Sequence, residues 1–450
     1  METQHASISL SRAVGIKKGD IISLVGGGGK TTTMYHLADE LVKKGHRVIV
    51  TTTTHIFPPD SKYTEIFTKD TDEVRKVLDR KKLLVLADRF DPEKGKLTGI
   101  NASRVKELIE VADNIIIEAD GSRNLPFKAP EKHEPVIPES STVVIHLTGL
   151  DVVNKPLTSD YAHRIERIKE ITGIDNGDPI TPEVIAKTVL HPSGGKKQVP
   201  ENASFIPLLN KADTFSDINA AGDIAGRLIS GGIGKVVITG HRSDPVFIKP
   251  VTSRSFVSAV ILAAGASSRM GRPKLELEID GVNLLERTIK NVIRSIADEI
   301  ILVLQPDKMP VDLKEYPGIK VVINDMWKTG QSSSMKAGLK AVSGRSGGAL
   351  FFMGDQPFVT PDIINELIMS FMETDKPVTV PLYRGKRGAP VLFKRSVYQE
   401  LLRVEGDRGG RDLINRYPAD FVDIDSEYAS FDIDTPEEFE RLKKILLSKV

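Results

Sequence analysis

Two stretches of small residues, each closed by a lysine, are where this sequence could do chemistry. The first is Val25-Gly26-Gly27-Gly28-Gly29-Lys30-Thr31-Thr32. Consecutive glycines let a backbone turn its N–H groups inward around an anion. The pattern that follows, with Leu37, Leu41 and Val42 on one face, predicts a helix whose positive end aims at the same place. Lys30 supplies a charge for β- and γ-phosphate, and the Thr31 hydroxyl a ligand for Mg2+. Gly26, Gly27, Gly28, Gly29, Lys30 and Thr31 are therefore the expected cradle for a nucleotide's phosphates. The usual phosphate-loop pattern has a glycine where Leu24 stands, so this is a shortened variant. The second stretch runs from Ala259 to Lys274, AVILAAGASSRMGRPK. Ala264, Gly265, Ala266, Ser267 and Gly271 let backbone amides approach a triphosphate. Arg269 and Lys274 neutralise the charge that builds on a leaving pyrophosphate. The Rossmann dinucleotide fingerprint is absent from it.

Carboxylates stand where such loops need them. Ile115-Ile116-Ile117-Glu118-Ala119-Asp120-Gly121 is an apolar strand ending in acids, and Asp120 is expected to serve a metal there. Leu350-Phe351-Phe352-Met353-Gly354-Asp355 delivers Asp355 to a turn, where it reads as both catalytic and a Mg2+ ligand. Asp434 precedes the last helix and is an N-cap, a second metal ligand, or both. Asn210-Lys211-Ala212-Asp213 follows the apolar run Phe205–Leu209 and resembles the guanine-reading motif of GTPases. In that motif the Asp carboxylate accepts from the base N1–H and N2 amino groups. Thr51-Thr52-Thr53-Thr54-His55 either lines the nucleotide pocket or caps the next turn. Gln331 to Ser334 open a helix, with Ser334 expected to bond a base or sugar. Arg408 and Arg411 suit an acceptor's phosphate. Trp327 either stacks on a ring or anchors the core.

The elements that must position these groups are short, continuously apolar, β-branched runs. They include Ile21–Val25, Arg47–Thr51, Leu83–Leu86, Asn114–Glu118, Thr142–His146, Phe205–Leu209, Lys235–Thr239, Val257–Leu262, Glu299–Leu304, Ile319–Ile323, Ala349–Met353 and Val378–Val380. Continuous apolarity means burial on both faces, hence mostly parallel sheet in an α/β fold. The polar, proline-bearing stretch 241–255 reads as a linker or the edge of a domain boundary. With 450 residues at about 150 per domain, the expectation is two consecutive three-layer α/β domains. Residues 1–250 form a P-loop-like nucleotide-binding domain and residues 251–450 a Rossmann-like nucleotidyltransferase domain. All nine histidines lie between His5 and His241, as a fusion of independent domains would give. The chemistry of the second half thus uses neither an imidazole base nor a His-bound metal.

Composition excludes several classes. There is no cysteine, so disulfides, thiolate-bound zinc, iron–sulfur clusters and persulfide relays are ruled out. A net charge of +1 offers no polyanion-binding surface, so nucleic acid is not expected. No apolar run reaches the roughly 18 residues a membrane span needs, and the start of the chain lacks a signal-peptide core. The expected setting is cytoplasmic.

Two resemblances carry these readings further. The glycine loop, the threonine run, EADGSR and KAP-x-x-HEPVIP resemble the YqeC family, the selenium-dependent molybdenum hydroxylase accessory proteins, over roughly residues 10–245. The loop of the second half resembles the L-A-x-G-x-x-x-R-M-G-x-x-K loop of MobA-like and sugar-nucleotide transferases. With Asp355 and Asp434, residues 257–450 resemble the molybdenum cofactor cytidylyltransferases. Guanylyl-transferring relatives carry Gly-Gly where this chain has Ala264-Gly265, so the Ala264 methyl implies a pyrimidine pocket. Ala389 departs from the family pattern, which has a larger polar residue there. The resemblance implies transfer of CMP from CTP to molybdopterin cofactor with Mg2+. It also implies an accessory half that binds GTP or ATP and serves an apo molybdenum hydroxylase. Two alternatives stand beside it. One is a sugar- or polyol-phosphate nucleotidyltransferase; the other is a non-catalytic, GTP-gated cofactor chaperone.

Overall fold

A computed structural model describes residues 8–215, 218–240, 247–252, 256–265, 274–279, 281–406, 410–426, 428–429 and 435–447. The chain divides into two compact units, Ser7–Ser253 and Arg254–Val450.

The N-terminal unit is built on β1 (Ile21–Gly26), β2 (Val48–Thr52), β3 (Glu65–Ile66), β4 (Leu83–Leu86), β5 (Asn114–Glu118), β6 (Val143–Gly149), β7 (Ser204–Asn210), β8 (Lys235–Gly240) and β9 (Phe247–Thr252). Among the described residues they form one sheet in the order β9-β8-β7-β6-β1-β5-β2-β4-β3. Every pairing is parallel except β8 with β9. All six residues of β1 are buried, as a strand covered on both faces requires. One apolar layer gathers Ile21, Ile49, Leu84 and Ile115 with Val74, Leu78 and Leu108. A second gathers Leu209, Val236 and Ile238 with Ile185, Ile224 and Leu228. Strand register puts both layers on one face of the sheet. On the other face Ile22, Leu24, Val48, Val50 and Ile116 are buried, and the helix Lys30–Lys43, with Met34, Leu37 and Leu41 buried, lies against β1, β2 and β5. The strand order reverses at β1, the switch point where α/β sheets open a crevice at their carboxyl ends. The stretch expected as a linker or the edge of a boundary supplies β9, and the two units divide just after it. Its Ile248 is buried, and Pro250 sits on the sheet's edge, where a missing N–H costs no ladder bond.

The C-terminal unit contains β10 (Val257–Leu262), β11 (Glu299–Leu304), β12 (Ile319–Ile323), β13 (Gly348–Met353), β14 (Val378–Tyr383), β15 (Lys386–Arg387), β16 (Val391–Lys394) and β17 (Ala419–Ile424). The order is β12-β11-β10-β13-β16-β14-β15, with β17 beside β14. Strands β10 to β13 are parallel, and β16 is inserted antiparallel between β13 and β14. The mixed α/β class with mostly parallel sheets is the one the apolar runs led us to expect. Among the described residues no helix is long and apolar enough to cross a membrane.

One glycine shows how closely a helix meets this sheet. Helix α2 (Gln331–Ala341) lies against β10 and β11. A Cβ added at Gly338 would stand 2.4 Å from Val260 Cγ1 and 3.1 Å from Val303 Cγ2. Alanine is the better helix former by about 1 kcal/mol, yet here it overpacks, at a cost of about 1–3 kcal/mol. Gly338→Ala should lower the thermal midpoint by a few degrees in a calorimetric scan. An unchanged or raised midpoint would mean that the helix can shift outward freely.

Candidate functional site

The glycine loop connects β1 to α1 (Lys30–Lys43). Gly26 and Gly28 have φ of 91° and 87°, a region that side chains rarely adopt. A Cβ at Gly28 would also lie 2.3 Å from Gly149 N. The loop is thus pressed against the end of β6, and no other residue type fits. Three of its amides donate within the chain: Gly26 N to Asp120 Oδ2, Gly27 N to Leu147 O and Gly28 N to Leu125 O, each at 3.0 Å. No side chain caps α1, so its positive end is the part of the cradle left for an anion.

Lys30 is 2% exposed at its side chain. Its Nζ donates to Gly26 O at 2.6 Å and lies 3.2 Å from Asp120 Oδ1 and 3.9 Å from Glu118 Oε1. Asp120 is bridged on its other side by Lys128 Nζ at 3.1 Å, which also reaches Glu134 at 2.8 Å and Gly121 O at 2.6 Å. Burial pushes Asp120 up, but the Lys30 and Lys128 ammoniums and the Gly26 N–H outweigh it and hold the carboxyl below its ordinary range. Both Asp120 oxygens are therefore engaged by cations. The carboxylate beside Thr31 is instead Glu118, whose Oε2 accepts from the Thr31 hydroxyl at 3.0 Å. Burial raises Glu118 above its usual value despite Lys30 and Thr31.

The threonine run at the end of β2 ties strands together. Thr51, Thr52 and Thr53 hydroxyls donate to Leu86 O, Glu118 O and Val136 O, each at 2.7 Å. Asn210 Nδ2 donates to Gly28 O at 2.8 Å and so holds the glycine loop. Lys211 pairs with Asp151 at 2.6 Å. Asp213 packs under the backbone of Gly240. Asn210 thus joins the loop directly, while Lys211 and Asp213 lie beside it at the ends of β6 and β8.

In the C-terminal unit, Lys274 and Asp355 form a close ion pair, 13% and 16% exposed at their side chains. Adjacent parallel strands produce it: β10 and β13 end side by side, and Gly354 N donates to Leu262 O at 3.0 Å. Ala264 is buried and Gly265 exposed. Both carbonyls accept from Gln305 Nε2, at 3.1 and 2.7 Å, so this residue at the end of β11 shapes the loop. Sequence reading missed it. The available signal was an amide directly after a buried strand. Ser334 is buried and accepts from Asn324 Nδ2 at 3.0 Å. Gln331 Nε2 donates to Met353 Sδ at 3.0 Å, which brings the start of α2 to the strand that carries Asp355. Trp327 packs half-buried against the core, as its anchoring role would have it. Arg411 is exposed and opens the helix Arg411–Arg416, whose Leu413 is buried in the core. Ala266, Ser267, Arg269, Gly271, Arg408 and Asp434 lie outside the described residues.

Comparison with known proteins accounts for both loops. The YqeC protein family matches residues 22–166, and the MobA-like NTP transferase domain matches residues 259–421. The chain is 33% identical over 197 residues to the uncharacterized protein YqeC of Escherichia coli K12, covering 43% of this chain and 77% of that protein. The chain belongs to the YqeC family, and its C-terminal unit is a MobA-like nucleotidyltransferase domain. A probable molybdenum cofactor guanylyltransferase of Natranaerobius thermophilus is 29% identical over 203 residues, 42% of this chain and 96% of that protein. The molybdenum cofactor cytidylyltransferase of E. coli K12 is 27% identical over 187 residues, 41% and 94%.

The YqeC region also buries a histidine that sequence reading passed over, although a polar residue inside the apolar run TVVIH marked it. His146 lies on β6 beside Asp120, and its Nδ1 is buried without a hydrogen-bond partner among the described residues. Burial pushes its pKa from 6.5 down to about 4. The folded protein then binds fewer protons than the unfolded chain between those values. Stability is full above about pH 6.5 and is lost as pH falls towards 4, by about 3 kcal/mol. His146→Leu should flatten this part of a denaturation profile measured against pH. A wild-type profile already flat between pH 4 and 6.5 would contradict the assignment.

Proposed function

We propose that residues 254–450 transfer CMP from CTP to molybdopterin cofactor. The observation that carries this reading is the Lys274–Asp355 pair where β10 and β13 end. An oxygen of the acceptor's terminal phosphate attacks the α-phosphorus of CTP. The bond from that phosphorus to the bridging oxygen breaks, and pyrophosphate leaves. The attacking phosphate is already ionised at neutral pH, so no general base is required, in keeping with a half that lacks histidine. Lys274 and Arg269 neutralise the leaving pyrophosphate, and the remaining work is positioning. Asp355, a partly exposed oxygen donor at a strand end, has the chemistry that Mg2+ prefers, with Asp434 as second ligand. When bound, the ion supplies further charge neutralisation. Ala264 favours the smaller base, while Ser334 and Arg411 face sugar and acceptor.

We infer further that the N-terminal unit binds GTP or ATP through Gly26 to Thr31, with Asn210, Lys211 and Asp213 nearest the base. Thr31 and a carboxylate of the 118–120 segment would hold its metal: Asp120 by sequence pattern, Glu118 by its contact with Thr31. This unit serves maturation of an apo molybdenum hydroxylase. Without cysteine, the chain carries no sulfur or selenium on a thiol of its own.

Incubation of the full chain with Mg2+, molybdopterin cofactor and either CTP or GTP, followed by pyrophosphate assay, tests the reading. CTP should be consumed in preference. Asp355→Asn and Lys274→Ala should each slow turnover by about 100-fold, Ala264→Gly should raise the use of GTP, and Lys30→Ala should leave turnover intact. Preference for GTP would make the domain a guanylyltransferase. Biological activity that survives Asp355→Asn but not Lys30→Ala would make the chain a nucleotide-gated carrier.

A further inference from the structure

A small cavity adjoins the glycine loop, with room of about 10 Å3 for the centre of a water molecule. That is the space a single water needs. Its walls include Gly26, Asp120, Lys128, His146 and Gly195. His146 reaches it from β6 and is 3% exposed. Two glycine backbones make room for the imidazole. A Cβ at Gly26 would stand 3.3 Å from His146 Cε1, and one at Gly195 would stand 3.1 Å from His146 Cδ2. Gly195 is itself fixed, since its N–H donates to Thr188 O at 3.0 Å. The ring is thus held between the phosphate loop and the segment that follows the helix Pro182–Leu190.

Two buried polar atoms of this wall have no hydrogen-bond partner among the described residues: His146 Nδ1 and Asp120 Oδ1. Lys30 Nζ lies 3.2 Å from Asp120 Oδ1, close enough for an ion pair, but it makes its hydrogen bond to Gly26 O at 2.6 Å. The other carboxylate oxygen is fully occupied, by Gly26 N at 3.0 Å and Lys128 Nζ at 3.1 Å. Lys128 has nothing left to give, because it also holds Gly121 O and Glu134. Pro130 and Pro135, also in the wall, have no N–H to offer. Buried polar atoms are ordinarily satisfied, by protein or by ordered water. Here the room and the two unsatisfied atoms coincide.

We propose that one water fills this cavity, bridges His146 Nδ1 to Asp120 Oδ1, and steadies that carboxylate when a phosphate draws Lys30 away. His146 is then a positioning residue of the glycine loop. The bridge stands on the cavity alone, while the positioning role rests on the phosphate-loop reading. The water donates one hydrogen to Asp120 Oδ1. Towards Nδ1 it donates the other or accepts one, according to which ring nitrogen carries the proton. Asp120 Oδ2 meanwhile keeps its bond from Gly26 N, so the first amide of the loop stays fixed while Lys30 changes partner.

Crystals of the ligand-free full chain, at a resolution that shows ordered water, test the bridge. One water should lie within hydrogen-bond distance of both His146 Nδ1 and Asp120 Oδ1. An empty cavity, or a water that fails to reach both atoms, overturns the proposal whatever the variants do to folding. His146→Asn keeps a polar atom near the place of Nδ1, and His146→Leu puts a methyl there. The water should persist in the first and vanish from the second. Calorimetric titration with GTP and ATP then tests the role. His146→Leu should bind the preferred nucleotide about tenfold more weakly than wild type, and His146→Asn within about threefold of it. Leucine binding as tightly as wild type, or asparagine losing as much as leucine, overturns the role. A wild type that holds the water but binds neither nucleotide keeps the bridge and removes the phosphate-loop reading.

Discussion

A lysine from a small-residue loop faces a carboxylate at the end of the neighbouring parallel strand, and this happens once in each unit. Lys30 meets Asp120 across β1 and β5, and Lys274 meets Asp355 across β10 and β13. Parallel strands end on the same edge, so the loop after one strand and the acid after its neighbour emerge on the same side of the sheet. In the N-terminal unit the constraint spreads. Asp120 joins Lys30 to Lys128, Lys128 joins Glu134, and Gly26 N joins Asp120. Removing one member would leave a buried charge without its partner, at a cost of about 3–5 kcal/mol. The glycine loop, the end of β5 and the segment 121–135 are therefore one electrostatic assembly.

Much of this was legible in the sequence because buried parallel strands announce themselves as unbroken apolar runs. The twelve runs that located the loops and acids all became strands. What was not legible depended on pairing. Phe247–Thr252 looks like a linker because Pro250 and Lys249 interrupt it, yet an edge strand tolerates both. Val391–Lys394 and Ala419–Ile424 are short and partly exposed, and only their neighbours make them strands.

The sites divide in the same way. Residue types at fixed spacing announced Lys30, Thr31, Lys274 and Asp355. Partner choice did not follow from spacing. Glu118 and Asp120 stand two residues apart at one strand end. Which of them faces Thr31 and which faces the two ammoniums depends on the turn at Ala119 and on Lys128 arriving from a different loop. The threonine run was equally silent about whether its hydroxyls would meet ligand or backbone. Carbonyls on β4, β5 and the following segment took them.

The two ion pairs differ in one respect that bears on how each unit would accept a phosphate. Lys274 and Asp355 are both partly solvated, so water could replace either partner if the lysine were to exchange its carboxylate for a triphosphate. Lys30 and Asp120 are each 2% exposed at their side chains, and water has no such access. A phosphate that takes Lys30 must supply the negative charge at the moment Asp120 gives it up, and Asp120 must keep a cation of its own. Lys128 provides it, already bonded on the far side of the same carboxylate. A buried lysine on each side of Asp120 thus permits the exchange without ever leaving a carboxylate alone in the interior. With Lys30 as the sole counter-ion, phosphate binding would strand that carboxylate, and the desolvation cost would oppose the ligand.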